Sequence, residues 1–295
     1  MYERVNLDIK YCMNKVLKLW EICQWDVKTV QIFSNLIASY NQEPATKKLI
    51  SSMIRFENMY NDLTANPFHF DLFSSLEDKN DYRRALKTRI YMNKKDLVKT
   101  VDGKNGKRLL LTSRGHKIYY EEYPLAKLRK EKWNSEWTIL TYDFPVRLNR
   151  ERNFLRRKLT DLGFGCPHES LYVSPLPLSK PLHDLINGEG YKDTVWVVTA
   201  KRVLGLGNRE VCMKSWNLGM INSLYEKLLL ALPQIKKFAD TKLYDEWKSH
   251  FLALNNIDPY LPMELLPENW NGVKCEAEFH KLGFPSLISA IFKHQ

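Results

Sequence analysis

The stretch Glu136–Pro175 constrains the fold most, because it predicts a strand, a helix and a second strand in close succession. Residues 137–142 are mostly β-branched or aromatic over the length of a strand, which ends at Asp143. Asn149 is a candidate N-cap for a helix that ends at Gly163. The apolar positions of that helix recur at helical spacing, at Leu155, Leu159 and Leu162. Residues 170–173 then predict a second strand, which ends before Pro175.

Two interpretations compete for this stretch. Asp143 lies at a strand end, where a carboxylate could hold Mg²⁺ in a nuclease if a dimer brings two such groups together. Alternatively, Asp143 accepts hydrogen bonds from the backbone of the turn before Pro145, and the unit is a core that supports a DNA-binding head. Basic side chains after the strand could bind nucleic acid without cleaving it: Arg147, Arg150, Arg152, Arg156 and Arg157.

The composition is that of a globular protein, with 44% hydrophobic and 12% aromatic residues. No apolar run approaches the roughly 18 residues that a membrane helix needs, and the N-terminal sequence has no secretory pattern. We therefore expect a cytoplasmic, nucleoid-associated protein without a membrane partner. The five cysteines are scattered and the histidines form no cluster, which predicts reduced thiols and neither a structural metal nor a cofactor.

The positive charge is concentrated in one segment of the chain. The net charge is +11, and residues 79–117 contain thirteen Lys or Arg against three Asp. A cluster of this size is the electrostatic footprint of a protein that binds the phosphate backbone of nucleic acid. A solvated basic surface is the alternative for an isolated charge run, but this segment also has a predicted structure.

The basic segment predicts a helix, a turn, a second helix and a hairpin. Asp71–Glu77 and Asp81–Tyr91 are the two helices, and the second has a predicted buried stripe at Tyr82, Leu86 and Ile90. Residues 97–101 and 107–113 predict two strands, joined by the turn sequence Asp102–Gly106. Thr112 or Ser113 is expected to start a further helix through Tyr119. This order of elements is typical of a winged helix.

A winged helix places its second helix in the DNA major groove and its hairpin against neighbouring phosphates. We expect Arg84 and Lys87 to dominate base readout, with Arg83 and the wing lysines on phosphates. Arg89 falls near the buried stripe and is the weakest candidate for a base contact. The full set of candidate DNA-binding residues is Arg83, Arg84, Lys87, Thr88, Tyr91, Lys94, Lys95, Lys104, Lys107 and Arg108.

The sequence as a whole predicts an α+β protein with four domains. Residues 1–66 form a helical N-terminal extension and residues 67–125 the winged helix. Residues 126–203 form a ferredoxin-like middle domain in the order β-α-β-β-α-β, with a helix at 178–186, a strand at 193–203 and one strand that no pattern identifies. Residues 204–295 form a helical regulatory and dimerisation domain, with helices near 218–232, 242–254 and 274–292.

Two connecting segments have opposite character. Residues 121–132 are highly charged, which predicts a linker or a solvated helix. Residues 258–272 are rich in proline but also apolar, which predicts a loop that docks onto another surface. The apolar side chains of this loop are Tyr260, Leu261, Leu265, Leu266 and Trp270.

Several separated motifs together resemble the PaaX-type transcriptional regulators. Arg84-Ala-Leu86 and Leu110–Gly115 look like the end of the winged helix of that family. The middle-domain motifs are Trp137–Pro145, Arg152–Arg156, Gly163-Phe164 and Val173–Pro175. Trp216-Asn-Leu218 looks like the start of the C-terminal region, and its most specific motifs are Asp258–Pro262, Glu264–Pro267 and Trp270–Gly272. Residues 1–66 lie outside the resemblance.

The resemblance implies a homodimeric repressor that binds double-stranded DNA and responds to a small-molecule effector such as an acyl-CoA. Its middle domain is akin to a small CRISPR-associated nuclease, which keeps an Asp at the position of Asp143. A metal-dependent nuclease is therefore the first alternative, and Mg²⁺ would be needed only there. A protein–protein adaptor is the second alternative, and it predicts no steep salt dependence of DNA affinity.

Overall fold

The computed structural model describes residues 19, 22–43, 87, 89–103, 106–122, 129, 132–188, 191, 193–202, 205–238 and 241–282. Within these ranges the helices are α1 (Val27–Gln42), α2 (Ser113–Glu122), α3 (Asn149–Asp161), α4 (Lys180–Ile186), α5 (Asn208–Trp216), α6 (Leu218–Phe238), α7 (Thr241–Ile257) and α8 (Gly272–Lys281). The strands are β1 (Val98–Gly103), β2 (Gly106–Leu111), β3 (Trp137–Tyr142), β4 (Gly165–His168), β5 (Leu171–Ser174) and β6 (Val195–Ala200). The α+β class is confirmed.

The chain forms two compact units that do not follow its order. The first contains residues 1–117, 221–258 and 271–295, and the second contains residues 118–220 and 259–270. The four predicted domain boundaries stay a prediction. Within the described ranges, no helix is both long and apolar enough to cross a membrane.

The second unit contains a four-stranded antiparallel sheet in the spatial order β4-β5-β3-β6. In chain order its elements are β3, α3, β4, β5, α4 and β6, which is the predicted β-α-β-β-α-β sequence. Strand β4 had no legible pattern because glycine and proline occupy two of its four positions, and its pairing with β5 is irregular. Buried residues on one side of the sheet include Leu140, Tyr142, Leu155 and Leu159.

The predicted N-cap of α3 is wrong. Asn149 lies inside the helix, and its Oδ1 accepts a hydrogen bond from Nη2 of Arg152. A single 3₁₀ turn at Val146–Leu148 precedes the helix, so α3 continues from a turn that is already wound. The predicted end is confirmed, because Gly163 follows the helix with φ of +79°, a left-handed conformation that glycine adopts without strain.

Helix α5 covers part of the sheet and was not predicted. Nε1 of Trp216 donates to the carbonyl of Gly163 at 3.1 Å, and Nε1 of Trp137 donates to Oδ1 of Asn208 at 3.1 Å. A Cβ added at Gly165 would lie 2.5 Å from Cβ of Ser215. Gly165 therefore permits the close approach of α5 to β4, which a side chain at this position would prevent.

The proline-rich segment packs onto the second unit, as its apolar content predicted. Tyr260, Leu261, Leu265, Leu266 and Trp270 are all buried. The guanidinium of Arg129 stacks 4.2 Å from the ring centre of Tyr260, and its Nε donates to the carbonyl of Leu261 at 3.0 Å. The backbone N–H of Trp133 donates to Glu264 at 2.8 Å. At Arg129 and Trp133 the chain is therefore packed against the segment, and of these two residues only Arg129 lies in the range 121–132 for which the sequence predicted a linker or a solvated helix.

Replacing Arg129 by Ala is expected to loosen this segment. The substitution removes a cation–π contact and a charge-assisted hydrogen bond, which together contribute about 2 kcal/mol to the local stability. Amide hydrogen exchange of residues 259–270 should then be faster in the variant. Lys132→Ala is the matched control, because Lys132 is an exposed cation of the same linker. Equal protection in the two variants would contradict the role given to Arg129.

The first unit contains α1, α7, α8 and all of α6 after Met220, and these helices surround an aromatic core. The rings of Trp247 and Phe251 stack at 5.7 Å, and Phe251 lies 4.6 Å from Phe279. Nε1 of Trp247 donates to the carbonyl of Leu228 at 2.8 Å, which satisfies its buried polar atom. Helices α6 and α7 lie at their predicted positions, and both extend beyond their predicted ends.

Helix α1 begins with a side-chain cap that the sequence analysis did not identify. Oδ1 of Asp26 accepts from the backbone N–H of Thr29 at 2.9 Å, and Oδ2 accepts from its hydroxyl at 2.7 Å and from Nζ of Lys227 at 3.2 Å. The hydrogen bonds from Thr29 hold the pKa of the Asp26 carboxyl well below its usual range. The cap therefore also connects α1 to α6 within this unit.

Candidate nucleic-acid interface

The end of the predicted basic helix is described and presents cations to solvent. Residues 87 and 89–94 are helical, and Lys87, Tyr91 and Lys94 are exposed. Lys95 follows in the turn, with its Nζ 6.0 Å from the ring centre of Tyr91. Four of the predicted DNA-binding residues therefore lie on an accessible surface of one short segment.

The predicted buried stripe of this helix is wrong at its last position. Ile90 is 55% exposed, whereas Met92 is fully buried and Arg89 is half-buried. Nε and Nη1 of Arg89 are buried. The buried side is displaced by about one residue, or roughly 100°, from the predicted one. A four-residue spacing alone cannot distinguish these two orientations, because the tertiary contacts of Met92 determine which is adopted.

A left-handed cap ends the helix. The N–H of Leu97 donates to the carbonyl of Met92 at 2.9 Å, and the N–H of Asp96 donates to Asn93 at 3.0 Å. Asp96 has φ of +54°, so the two hydrogen bonds form a Schellman motif with Asp96 in the left-handed position. The chain reverses here and enters β1 with Lys94 and Lys95 on the outside of the turn.

The start of α2 is fixed to this cap. Oγ1 of Thr112 accepts from the N–H of Gly115 at 3.0 Å and donates to the carbonyl of Asp96, and the N–H of Thr112 donates to Leu97 at 3.1 Å. Thr112 is therefore the N-cap of α2, one of the two predicted starts. A Cβ at Gly115 would lie 2.2 Å from the carbonyl oxygen of Leu97. Only glycine allows the helix start and the cap to approach this closely.

The hairpin has the predicted antiparallel pairing, but its strands extend into the predicted turn. Val98 pairs with Leu111, and Asp102 pairs with Lys107. Lys107 and Arg108 lie at positions of β2 close to the turn. Four other predicted residues lie outside the described residues: Arg83, Arg84, Thr88 and Lys104.

Three exposed cations near the cap were not among the predicted contacts. Lys99 lies in β1, and Arg114 and Lys117 lie in α2. All three belong to the same charge run, so the signal was present in the sequence. Arg114 and Lys117 lie in the helix that follows the wing, where no DNA contact was predicted, whereas Lys99 lies in the wing itself. Together with Lys87, Lys94 and Lys95, they give this part of the chain six described exposed cations.

Asp143 lies at the end of β3 and is exposed. Its backbone N–H donates to the carbonyl of Thr194 at 2.8 Å, which ties this position to the loop before β6. Among the residues that the structure describes, no group of three or more His, Cys, Asp or Glu side chains is arranged to hold a metal ion. Metal binding by Asp143 stays a prediction.

The arginines that follow Asp143 differ in how freely they could reach a ligand. Arg147, Arg150 and Arg157 are exposed, whereas Arg152 is half-buried against Asn149. A hydrogen bond with Tyr172 raises the pKa of Arg156, and burial raises the pKa of Tyr172. Arg156 is exposed as well, but its hydrogen bond with Tyr172 engages it, so Arg147, Arg150 and Arg157 are the freer nucleic-acid candidates in this unit.

These features define an α+β protein with a basic helix, hairpin and helix in its first unit and a β-α-β-β-α-β sheet in its second. Residues 130–212 match the family model described as the PaaX protein central Cas2-like domain. Residues 216–284 match the PaaX-like protein C-terminal domain. The two models together cover more than half of the chain, which belongs to the PaaX-like family.

The chain is also similar to individual proteins. It is 29% identical to the transcriptional repressor PaaX of Escherichia coli (strain K12) over 185 residues, which are 56% of this chain and 54% of that protein. The chain thus matches about half the length of this curated relative. Among solved structures, it is similar to the uncharacterised protein Rv0674 of Mycobacterium tuberculosis, with 21% identity, a TM-score of 0.43, and coverage of 69% of this chain and 80% of the other.

Proposed function

We propose that this chain is a transcriptional regulator, of the repressor type, that binds double-stranded DNA as a homodimer. The observation that carries the proposal is the set of exposed cations on the helix that ends at the Asp96 cap, on β1 and on α2. The similarity to a curated transcriptional repressor supports the same function. In the proposed arrangement the helix, hairpin and helix are a winged helix, and the sheet of the second unit is a ferredoxin-like support.

Contact with DNA phosphates would explain why the cations near the Asp96 cap are exposed. Lys side chains supply affinity by releasing counterions from the DNA, and they need accessible ammonium groups more than a defined geometry. The hydrogen bonds from Thr112 to the carbonyls of Asp96 and Leu97 hold the end of the basic helix against the start of α2. Base readout by Arg84 and Lys87 remains a prediction, and so do an acyl-CoA effector and the cytoplasmic, nucleoid-associated location.

Charge reversal at the cap should weaken DNA binding. For Lys94→Glu combined with Lys95→Glu, we expect the affinity for a labelled duplex of random sequence to fall at least about tenfold at low salt. The slope of log affinity against log salt should decrease in magnitude by about two, since each lost phosphate contact removes about 0.9. Fluorescence anisotropy over a series of salt concentrations measures both quantities.

Lys237→Glu combined with Lys274→Glu is the control for the change in net charge. Both lysines are exposed on helices, and neither lies in the basic segment. This double variant should keep the salt slope of the unmodified protein. If the two double variants lost affinity equally, the effect would come from net charge alone, and the interface assigned here would be wrong.

A further inference from the structure

Among the described residues, strand β6 forms one edge of the sheet in the second unit. It pairs with β3 over all six of its residues without a register shift, and it is the last strand in the sheet order. Its sequence is VWVVTA, which contains no proline and no charged residue. Natural sheets usually protect an edge with a lysine, a proline or a bulge, because free backbone donors and acceptors otherwise pair with another strand. Strand β6 has none of these three features.

The face of the sheet next to this edge is apolar and exposed. Trp196 is 70% exposed and Val198 is 54% exposed. They lie directly across from Thr141 and Ile139 of β3, on the face opposite Leu140 and Tyr142. An exposed tryptophan on an edge strand is a feature of interaction surfaces, since aromatic residues are enriched at interface centres.

The charges that flank β6 have opposite signs at its two ends. Asp193 precedes the strand, Lys201 and Arg202 follow it, and all three are exposed. Two copies of such a strand are complementary in the antiparallel orientation, because the acidic end of one meets the basic end of the other. This charge pattern selects a second copy of the chain as the partner.

We propose that β6 pairs antiparallel with β6 of a second copy across a two-fold axis through Val197. This register keeps the exposed faces of both sheets on the same side. It places Trp196 opposite Val198 of the second copy, and Val198 opposite Trp196 of the second copy. It also places Asp193 opposite Lys201 of the second copy at each end. If the axis moves by one residue in either direction, Trp196 no longer lies opposite Val198, and Asp193 no longer lies opposite Lys201.

This pairing deepens the homodimeric function proposed above and rests on it only for the use of two DNA-binding heads. The contact between the strands can form without DNA. Pairing of two six-residue strands is expected to bury less than the roughly 800 Å² per partner of a standard interface, so we expect a micromolar dimer. A DNA duplex that binds both copies would raise their effective concentration and favour the dimer.

Sedimentation velocity of the full chain without DNA, over a range of protein concentrations, tests the interface. Trp196→Lys should raise the dimer dissociation constant at least about tenfold, because an interface tryptophan is replaced by a charge. Leu230→Lys on α6 is the matched control, since Leu230 is 69% exposed, and it should leave the dimer unchanged. Circular dichroism should show both variants folded, because both side chains are exposed in the monomer.

A charge exchange tests the register. Asp193→Lys alone and Lys201→Asp alone should each weaken the dimer, whereas the double variant should restore it. A protein that stays monomeric, a dimer that Trp196→Lys leaves intact, or a double variant that is not rescued would each overturn the proposal. A dimer lost in Leu230→Lys but kept in Trp196→Lys would do the same. DNA affinity is measured separately with the Lys94 and Lys95 variant, so failure of one proposal is distinguishable from failure of the other.

Discussion

Gly115→Ala should locally unfold the segment proposed to bind DNA, and it should abolish the salt-dependent DNA binding proposed for it. The new Cβ would lie 2.2 Å from the carbonyl oxygen of Leu97 and 2.9 Å from Cδ2 of Leu111. The carbonyl of Leu97 cannot yield easily, because it accepts the N–H of Thr112 at 3.1 Å. Overpacking of this kind costs about 1 to 3 kcal/mol or more, which exceeds the gain of about 1 kcal/mol from replacing a helical glycine by alanine.

The expected loss is specific to the position and not to glycine replacement in general. Gly219 lies near the start of α6, where a Cβ would meet only the flexible end of Met213 at 3.4 Å. Gly219→Ala should therefore keep or raise the stability, by up to about 1 kcal/mol. Urea unfolding and DNA anisotropy measure the two effects. A Gly115→Ala protein as stable as the Gly219→Ala protein would contradict the close contact at Leu97.

The first unit should lose stability as the pH falls from about 6.5 to about 4, because His250 is buried in its neutral form. Burial lowers its pKa to about 4, and its Nδ1 lies 2.6 Å from the carbonyl of Glu246, to which a neutral ring donates. The ring centres of Phe33 and Trp25 lie 4.9 and 5.7 Å from that of His250, so the buried imidazole packs against aromatic rings. Protonation in the folded state would therefore place a charge among aromatic side chains.

The sign of the effect follows from proton binding in the two states. Above pH 6.5, His250 is neutral in both the folded and the unfolded protein, so the pH has no effect through this group. Below it, the unfolded protein binds a proton that the folded protein binds only near pH 4. The stability contribution is therefore lost as the pH falls, by about 3 kcal/mol in total at 1.36 kcal/mol per pKa unit.

Two variants isolate this contribution from that of the carboxylates. His250→Phe removes the titrating ring and should flatten the dependence of the urea midpoint on pH over this range, even if its stability at neutral pH differs. His168→Gln, at an exposed position of β4, should keep the dependence of the unmodified protein. A His250→Phe protein with an unchanged pH profile would show that acid sensitivity arises elsewhere.

Local pattern predicted most of the regular structure. Strands β3, β5 and β6, the hairpin of β1 and β2, and the long helices α6 and α7 lie where apolar periodicity and turn residues placed them. The apolar periodicity is strong in these elements because each is long enough for its helical or strand period to repeat. The exposed Lys94 and Lys95 followed from the concentration of positive charge in residues 79–117 and not from the helical period, since the predicted helix ended at Tyr91.

Short elements and single orientations could not be predicted in this way. Strand β4 has four residues, two of them glycine and proline, and is held by β5 and by α5. Asn149 is a residue type that often caps helices, but it lies inside α3 because the 3₁₀ turn before it already has a helical backbone. Ile90 is apolar and was predicted to be buried, but it is exposed, because the buried side of this helix carries Met92 instead. For β4 the deciding contact comes from α5, which is distant in the chain, whereas for Asn149 and Ile90 it comes from residues immediately beside them.

The sequence by itself determined the class of the fold, the segment that concentrates positive charge and the apolar character of residues 258–272. Composition and short-range spacing carry all three, since they depend on residues within one or two turns or strands. Only the tertiary structure decided that Arg129 stacks on Tyr260, that Gly115 lies against Leu97 and that Trp196 remains on an open edge. The first two contacts join residues that are separated in the chain, and the exposure of Trp196 depends on which face of the sheet other elements cover. Local propensity contains no information about long-range contacts or about the packing of a sheet face.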